Sequence, residues 1–581
     1  MYKEFLIPKK SGTYSEMLEV FGLGNLIDEV LTRLDIGERK ITFEDMGLYY
    51  IVSSDKEITN KMLEGLTYFP VVKFLINKSD TFPPEGISIE NCFNYPEQKA
   101  EQDLYKKEYE NIDKDKKKSS EQKKAAKQEL AQRKLSEFGK KLDKEYDVYR
   151  ELIKNPYSSF VKLFDNFHEN QQYFPELIKE ILSYYSKSII LNGDYKLADE
   201  KPTSQQLFNP NQGKGLNKAK ANNASMGNQK SFWVAETMKI SGALSMMSVQ
   251  YVKVGSGYDL KIYVPEFRQI LHHKAKELLF VFKKYLKSAA PIKLDILNLL
   301  DITIYFIELT PEYNKGKVKN TIQGFHTVYQ KDLGQNKAVA NISFMTTPDF
   351  VEYTDKKESK DWIRLLKEQR NVISGIEEVG DSIKGLQLYR SFLGAKGRNA
   401  LNYFSNFSFW YASYLMQALD NEKFYVKPFH IETLNIFYKN MTTQEINLSE
   451  IIQNEGFKAI AQAIRKSTVS LQYTPKENRK FEIRYGLAQQ LQNKSKSKES
   501  LATFIGEFIG TYNAETGRNA EKNNGKAFRT NVKDEELLQF FSLLDKSSPR
   551  LIGALLASYG FALNKKESQK EEVLTAEEID N

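Results

Sequence analysis

Apolar and polar positions alternate along this chain in two rhythms. Between residues 14 and 34, Leu18, Phe21, Leu26, Ile27, Val30, Leu31 and Leu34 recur at helical spacing and predict an amphipathic helix. Leu48–Ser54 (LYYIVSS) and Gly86–Cys92 (GISIENC) read as short strands. The stretch MMSVQYVKVGSGYDLKIYVPEF predicts a β-hairpin turning at Gly255-Ser256-Gly257. Asp301–Leu309 (DITIYFIEL) and Asn336–Met345 (NKAVANISFM) read as further strands. From Asp361 the pattern is helical almost to the end. Leu501, Phe504, Ile505, Phe508, Ile509 and Tyr512 form one stripe. Phe457, Ile460, Ala461 and Ile464 form a second, and Ile552, Leu555, Leu556 and Tyr559 a third. Such stripes are the inward faces of a helix bundle.

Charge density separates the segments. Residues 97–155 are dense in Lys, Glu and Ala with few apolar positions, so they read as a solvated helical hairpin or a nucleic-acid arm. The fold class expected is α+β: a mixed N-terminal body with small antiparallel sheets and a helical-hairpin insertion, followed by a C-terminal helix bundle. The segments are 1–96 (α/β), 97–188 (charged helical insertion), 189–360 (mixed, with a polar loop and the hairpin), 361–440 (helical connection), 441–563 (bundle) and 564–581 (disordered tail).

The chain has 581 residues, enough for several structural units, and its 41% hydrophobic and 12% aromatic content fits a folded protein. The net charge of +8 is mild, so local excess matters more than the total. A single cysteine, Cys92, excludes a disulfide framework within the chain and fits a reducing compartment. The N-terminus has no apolar run of signal-peptide length, and no stretch approaches the ~20 apolar residues of a spanning helix. A cytoplasmic protein without a membrane partner is expected.

Most catalytic signatures are absent. NQGKGLNK does not match GxxxxGK[ST], GLGNL (Gly22–Leu26) lacks a third glycine, and neither HExxH nor GxSxG occurs. None of the five histidines lies beside an aspartate, and the adjacent His272 and His273 point in different directions. No catalytic residue, metal ligand or cofactor is assigned.

Three basic features remain. The first is NPNQGKGLNKAKANNASMGNQKSFW (Asn209–Trp233), with four lysines and no acid. Lys214, Lys218 and Lys220 suit phosphates, while Gln212, Asn217, Asn222, Asn223 and Gln229 offer amides that can read base edges. A flexible solvated loop is the plainer reading. The second is Gly456–Ser500, where ten basic residues face three acids. Lys458, Arg465, Lys466, Arg479, Lys480, Arg484, Lys494, Lys496 and Lys498 suit a single-strand track, or form a plain solvated face. Lys458 and Arg465 are seven apart and share a side of a continuous helix. The third is RSFLGAKGRNALNYF, with Arg390, Lys396 and Arg398 among aromatics that either stack on bases or fill the core.

The series GFKAIAQAIRKSTVSLQY, RKFEIRYGLAQQL, FIGEFIGTYNAETGR and LIGALLASYGFA resembles, over residues 440–563, the C-terminal region of the large subunit of type I CRISPR surveillance complexes (Cascade), most like the type I-B branch. FNPNQGKG…NQKSFWVAETMKISG is compatible with that family's DNA-sensing loop. The resemblance implies a non-catalytic subunit that recognises the protospacer-adjacent motif (PAM) in duplex DNA. It implies help with strand opening and R-loop formation, support of the displaced strand, and recruitment of the helicase-nuclease. The implied partners are guide RNA, the backbone, handle-binding and small subunits, and target DNA. The amide loop becomes the PAM reader and the basic stretch the non-target-strand track. The resemblance also marks Met441 as an internal start for a free bundle. Two other classes stay open: a metal-dependent enzyme acting on nucleic acid, and a stand-alone single-strand-binding protein.

Overall fold

A computed structural model describes residues 1–115, 117–133, 145–154, 157–186, 202, 205–212, 230–283, 287–310, 316–334, 337–441 and 447–564. The chain is α+β and divides into two compact units, Met1–Ala289 with Val318–Thr347, and Ala290–Lys317 with Pro348–Asn581. Residues 361–440 and 441–563 therefore fall in one unit.

The first unit opens with β1 (Tyr2–Pro8), α1 (Ser15–Arg33), β2 (Ile41–Asp45), β3 (Tyr49–Ile58), β4 (Phe74–Ile76) and β5 (Cys92–Asn94). Five helices follow: α2 (Tyr95–Lys114), α3 (Ser120–Arg133), α4 (Tyr146–Lys154), α5 (Tyr157–His168) and α6 (Phe174–Tyr185). Then come α7 (Trp233–Met246), β6 (Ser248–Val254), β7 (Gly257–Phe267), β8 (Gln269–Leu271), α8 (His272–Phe282) and β9 (Lys287–Ser288). After a passage through the other unit, β10 (Ile322–Asp332) and β11 (Lys337–Thr346) complete it.

One sheet has the order β1-β3-β2-β8 and is antiparallel; a second runs β11-β10-β7-β6-β9, antiparallel except for the β6–β9 pair. The predicted hairpin is β6–β7, with Val254 opposite Gly257 and Gly255 at φ 57°, a turn conformation that suits glycine. The predicted first helix is α1, and all but one of the seven apolar positions named for it are buried, Leu34 lying just past its end. Of the stretch Leu48–Ser54, Tyr49–Ser54 belongs to β3, and of Asn336–Met345, Lys337–Met345 belongs to β11, Asn336 lying outside the described residues. The strand expected at Gly86–Cys92 is displaced: Ile89–Asn91 is a 3-10 turn, and the strand is β5, parallel to β4.

Helices α1 and α7 cross with their backbones in contact. A Cβ on Gly22 would lie 1.9 Å from the Met238 carbonyl oxygen, and one on Gly242 1.9 Å from that of Leu18. GLGNL is thus a helix-crossing sequence, not a phosphate loop. In the charged insertion, α2 buries none of its residues and pairs with α3 through Lys127 and Asp113. By contrast, α4, α5 and α6 bury Tyr149, Leu152, Phe160, Phe164, Ile178 and Leu182 and belong to the body.

The second unit comprises α9 (Pro291–Leu309), α10 (Lys356–Gly375), α11 (Ser382–Gly394), α12 (Gly397–Asp420), α13 (Ile431–Asn440), α14 (Leu448–Gln453), α15 (Glu455–Lys466), α16 (Leu487–Lys494), α17 (Lys498–Lys522), α18 (Asp534–Lys546) and α19 (Pro549–Gly560). The segment DITIYFIEL, read as a strand, is the second half of α9. Its β-branched residues suggest a strand, but Pro291 opens a nineteen-residue helix buried on nearly every side, where a continuous apolar run gives no periodicity to read. The three C-terminal stripes are all buried, on α15, α17 and α19. Asn454 caps α15 by accepting the Phe457 N–H at 3.0 Å, and Ser497 caps α17 by accepting the Ser500 N–H at 3.2 Å.

Helix α19 packs on α12, α13 and α15. The Tyr438 hydroxyl lies 2.7 Å from Ser558 Oγ, and the Ile431 N–H donates to the Leu563 carbonyl at 2.9 Å. A fragment starting at Met441 leaves these partners of α19 behind. The tail beyond Asn564 lies outside the described residues.

Candidate nucleic-acid interface

The Asn/Lys loop springs from two fixed feet. At the first, Tyr14 Oη donates to the Leu207 carbonyl at 2.7 Å and Ser15 Oγ to that of Phe208 at 2.7 Å, both from the start of α1. Asn209 is locked more deeply. Its Nδ2 donates to the Gln205 carbonyl at 3.1 Å and to both Glu236 carboxylate oxygens at 3.0 Å, and its Oδ1 accepts from Lys239 Nζ at 2.8 Å. Glu236 and Lys239, one turn apart on α7, form a buried ion pair at 3.0 Å. Burial pulls the Lys239 ammonium down, but Glu236 and Glu19 more than offset this and hold it above its usual value. Burial raises the Glu19 carboxyl, which accepts from Tyr185 Oη at 2.8 Å. At the second foot, the Ser231 N–H donates to the Pro202 carbonyl at 3.1 Å, just before α7 begins.

Between the feet and β1 lies a cavity of about 480 Å³, lined among others by Lys10, Glu16, Glu19, Tyr184, Asn211, Gln212, Phe232 and Lys239. The rings of Tyr184 and Phe232 stand 5.0 Å apart at 49°. Glu16 is consumed by the β1–α1 turn, accepting the N–H groups of Lys10 and Ser11 at 3.2 and 2.8 Å and the Ser11 hydroxyl at 2.5 Å. Asn211 Oδ1 and Gln212 Oε1 are buried and meet no hydrogen-bond partner, and nearby Gln205 leaves both side-chain polar atoms in the same state. An unpaired buried polar atom costs about 1–3 kcal/mol, and an ordered water is its usual partner.

Of the loop residues expected to read DNA, only Gln212 is described, at the end of the first foot in the turn Pro210–Gln212. Lys214, Asn217, Lys218, Lys220, Asn222, Asn223 and Gln229 lie outside the described residues.

The basic stretch of the bundle is less free than its charge count suggests. Arg465 corrects the expectation of a shared exposed side with Lys458: it is 7% exposed and its guanidinium reaches the Tyr559 carbonyl at 3.4 Å. The seven-residue spacing holds, but the end of α15 is covered by α19, so that position faces inward. Lys458 pairs with Glu455 at 2.8 Å and Lys498 with Asp545. Arg484 pairs with Glu515 at 2.7 Å. Arg479 donates to the carbonyls of Thr474 and Gln472 at 2.9 and 3.4 Å. Lys466 is half-buried, and Lys480 is exposed over the Phe528 ring at 5.7 Å. Lys494 and Lys496 are exposed and in no ion pair among the described residues. The centre of this region is Arg529, sandwiched between the rings of Phe481 and Tyr512 at 3.7 and 3.8 Å and bonded to Glu515 at 2.9 Å.

In the third feature Phe392, Leu393, Leu401 and Phe404 are core, and Arg390 pairs with buried Asp295 at 2.9 Å. Of its three cations Lys396 and Arg398 are exposed, around the start of α12, and of its aromatics Tyr403 is exposed. Sequence reasoning passed over Tyr184, Asn211 and Phe232, because their meeting depends on α6 and the loop's feet converging across distant segments. Among the described residues, no helix is long and apolar enough to cross a membrane. No known protein family matches the chain, and no curated protein does.

Proposed function

We propose that this chain is the non-catalytic large subunit of a type I, RNA-guided DNA-targeting complex that works in the cytoplasm. It recognises the PAM in duplex DNA through the Asn/Lys loop and helps open the strands. The displaced strand then runs past the exposed lysines of the bundle, and the helicase-nuclease docks on the assembly. Guide RNA and the backbone, handle-binding and small subunits are its partners.

The observation that best supports this reading is the anchoring of an acid-free, amide-rich loop. The first foot is held by buried hydrogen bonds, with Asn209 clamped by Glu236 and Lys239, and the second by the Ser231 N–H on the Pro202 carbonyl. A recognition loop needs such a rigid root to hold its amides in register with base edges. A spacer has no use for one.

The test is selection of short motifs from a randomised duplex library by the full chain in its assembled complex. Wild type should enrich one short motif, and Asn222→Ala with Asn223→Ala should abolish the enrichment while leaving weaker, salt-dependent binding. Loop variants as selective as wild type would remove the assignment.

A further inference from the structure

We propose that the cations at the start of α12 and the free lysines of the bundle form one continuous track for single-stranded DNA, joined by Arg550. The inference rests on the nucleic-acid reading above and extends its strand-binding surface from one helix end to a strip over three helices.

Helices α12, α16 and α19 pack on one another within the second unit. Gly553 on α19 is where they meet. A Cβ there would lie 1.9 Å from Ser495 Oγ and 3.4 Å from the Phe409 ring, so the glycine lets the end of α16 rest against α19 beside α12. Lys494 and Lys496 flank Ser495, and Arg550 lies three residues before Gly553. The three cations are therefore rooted within about 15 Å of one another. Arg550 in turn reaches α12: its guanidinium donates to Asn406 Oδ1 at 2.6 Å and stands 5.5 Å from the Phe409 ring centre. Arg398, Asn402 and Asn406 recur every four residues, so they share one side of α12 over about 12 Å. The strip thus runs from Lys396 and Arg398, past Arg550, to Lys494 and Lys496.

All five cations are exposed and in no ion pair among the described residues. The three helices hold a single acid, Asp420, at the far end of α12. Of the acids that border the strip, Asp545 is held by Lys498, and Glu499 sits in the first turn of α17. An acid-free row of cations on separate helices matches a chain of phosphates. Tyr403 adds a base-sized surface: it is 40% exposed and lies one turn from Asn406, beside the row. Cations along a line with an exposed ring at its edge suit a strand whose bases are unpaired.

The test measures binding of (dT)20 to the full-length chain by fluorescence anisotropy across a salt series. Arg398→Gln with Arg550→Gln should lower the slope of log affinity against log salt by about 1.4, and adding Lys494→Gln and Lys496→Gln should bring the loss to about 2.8. Arg550→Lys, which keeps the charge but not the planar fork, should retain the slope. Tyr403→Ala should weaken (dT)20 about fivefold or more with the slope unchanged, and leave binding of an equally long duplex alone. With strand in excess, one strand per chain is expected. A slope that ignores Arg398 and Arg550 but falls with the two lysines, or two strands per chain, would overturn the continuous track and leave DNA binding by the bundle intact. Arg550→Lys behaving like Arg550→Gln would also overturn it, since Arg550 would then act through Asn406 alone. If (dT)20 does not bind at any salt concentration, the nucleic-acid reading itself falls.

Discussion

The loop root and the basic stretch of the terminal bundle use their polar groups in opposite ways. At the root, Glu236 and Lys239 form a buried ion pair clamped by Asn209, and the buried atoms without a partner are neutral side-chain amide atoms. In the bundle, charge is abundant, but much of it is committed: Arg465 is buried, Arg484 and Arg529 share Glu515, and Lys458 and Lys498 hold acids nearby. A count of lysines and arginines therefore overstates the bundle as a binding surface and misses the root. Exposed ion pairs of the Lys458–Glu455 kind are worth under about 1 kcal/mol and yield readily to a phosphate, whereas Arg465 and Arg529 are structural.

The sharpest way to break this contrast is at the α1–α7 crossing. Gly22→Ala places a Cβ against the Met238 carbonyl, with no flexible side chain to move aside. A loss of about 3 kcal/mol is expected in denaturant unfolding, together with loss of duplex selectivity. Unchanged stability would mean that the crossing does not frame the root.

Acid should weaken the first unit next. His272 is wedged between Phe21 and Phe43, with Nε2 2.9 Å from Asn25 Oδ1. Burial, together with Lys276, pulls its pKa down to about 3. The folded value lies below the unfolded one, so the unfolded chain binds the proton first. The contribution is complete above about pH 6.5 and is lost as pH falls towards 3. Between pH 7 and pH 5 the loss is about 2 kcal/mol, and His272→Gln should flatten that limb of the urea midpoint. An unaltered limb would show that His272 is protonated freely in the fold.

The smallest effects separate structural from contacting cations in the bundle. Arg465→Gln should cost about 1 kcal/mol in melting and leave the salt dependence of single-strand binding alone. Lys494→Gln with Lys496→Gln should do the reverse, lowering the slope of log affinity against log salt by about 1.4. Equal behaviour of the two variants would erase the distinction.

Much of the fold was legible because periodicity survives where one face is buried and the other wet. The stripes on α15 and α17 are of that kind, whereas the β6–β7 hairpin, buried on both faces over most of its length, was legible from its Gly-Ser-Gly turn. Legibility failed where both faces are buried, as in α9, since DITIYFIEL carries no period to distinguish helix from strand. It failed for Arg465 because helix α19, contributed from far along the chain, decides which side of α15 is covered. At the candidate site, the loop's composition was visible, but its clamp was not. Glu236 and Lys239 look like an ordinary (i, i+3) surface pair until Asn209 inserts between them. That Asn211 and Gln212 hold unpaired buried oxygens depends on packing around the first foot, which no local pattern encodes.

The central claim is membership of an RNA-guided assembly, and affinity purification of the full-length chain from the cells that make it tests this most directly. The account predicts that a small guide RNA and a backbone subunit in several copies elute with it. Elution of the chain alone, without RNA and without a repeated partner, would contradict it.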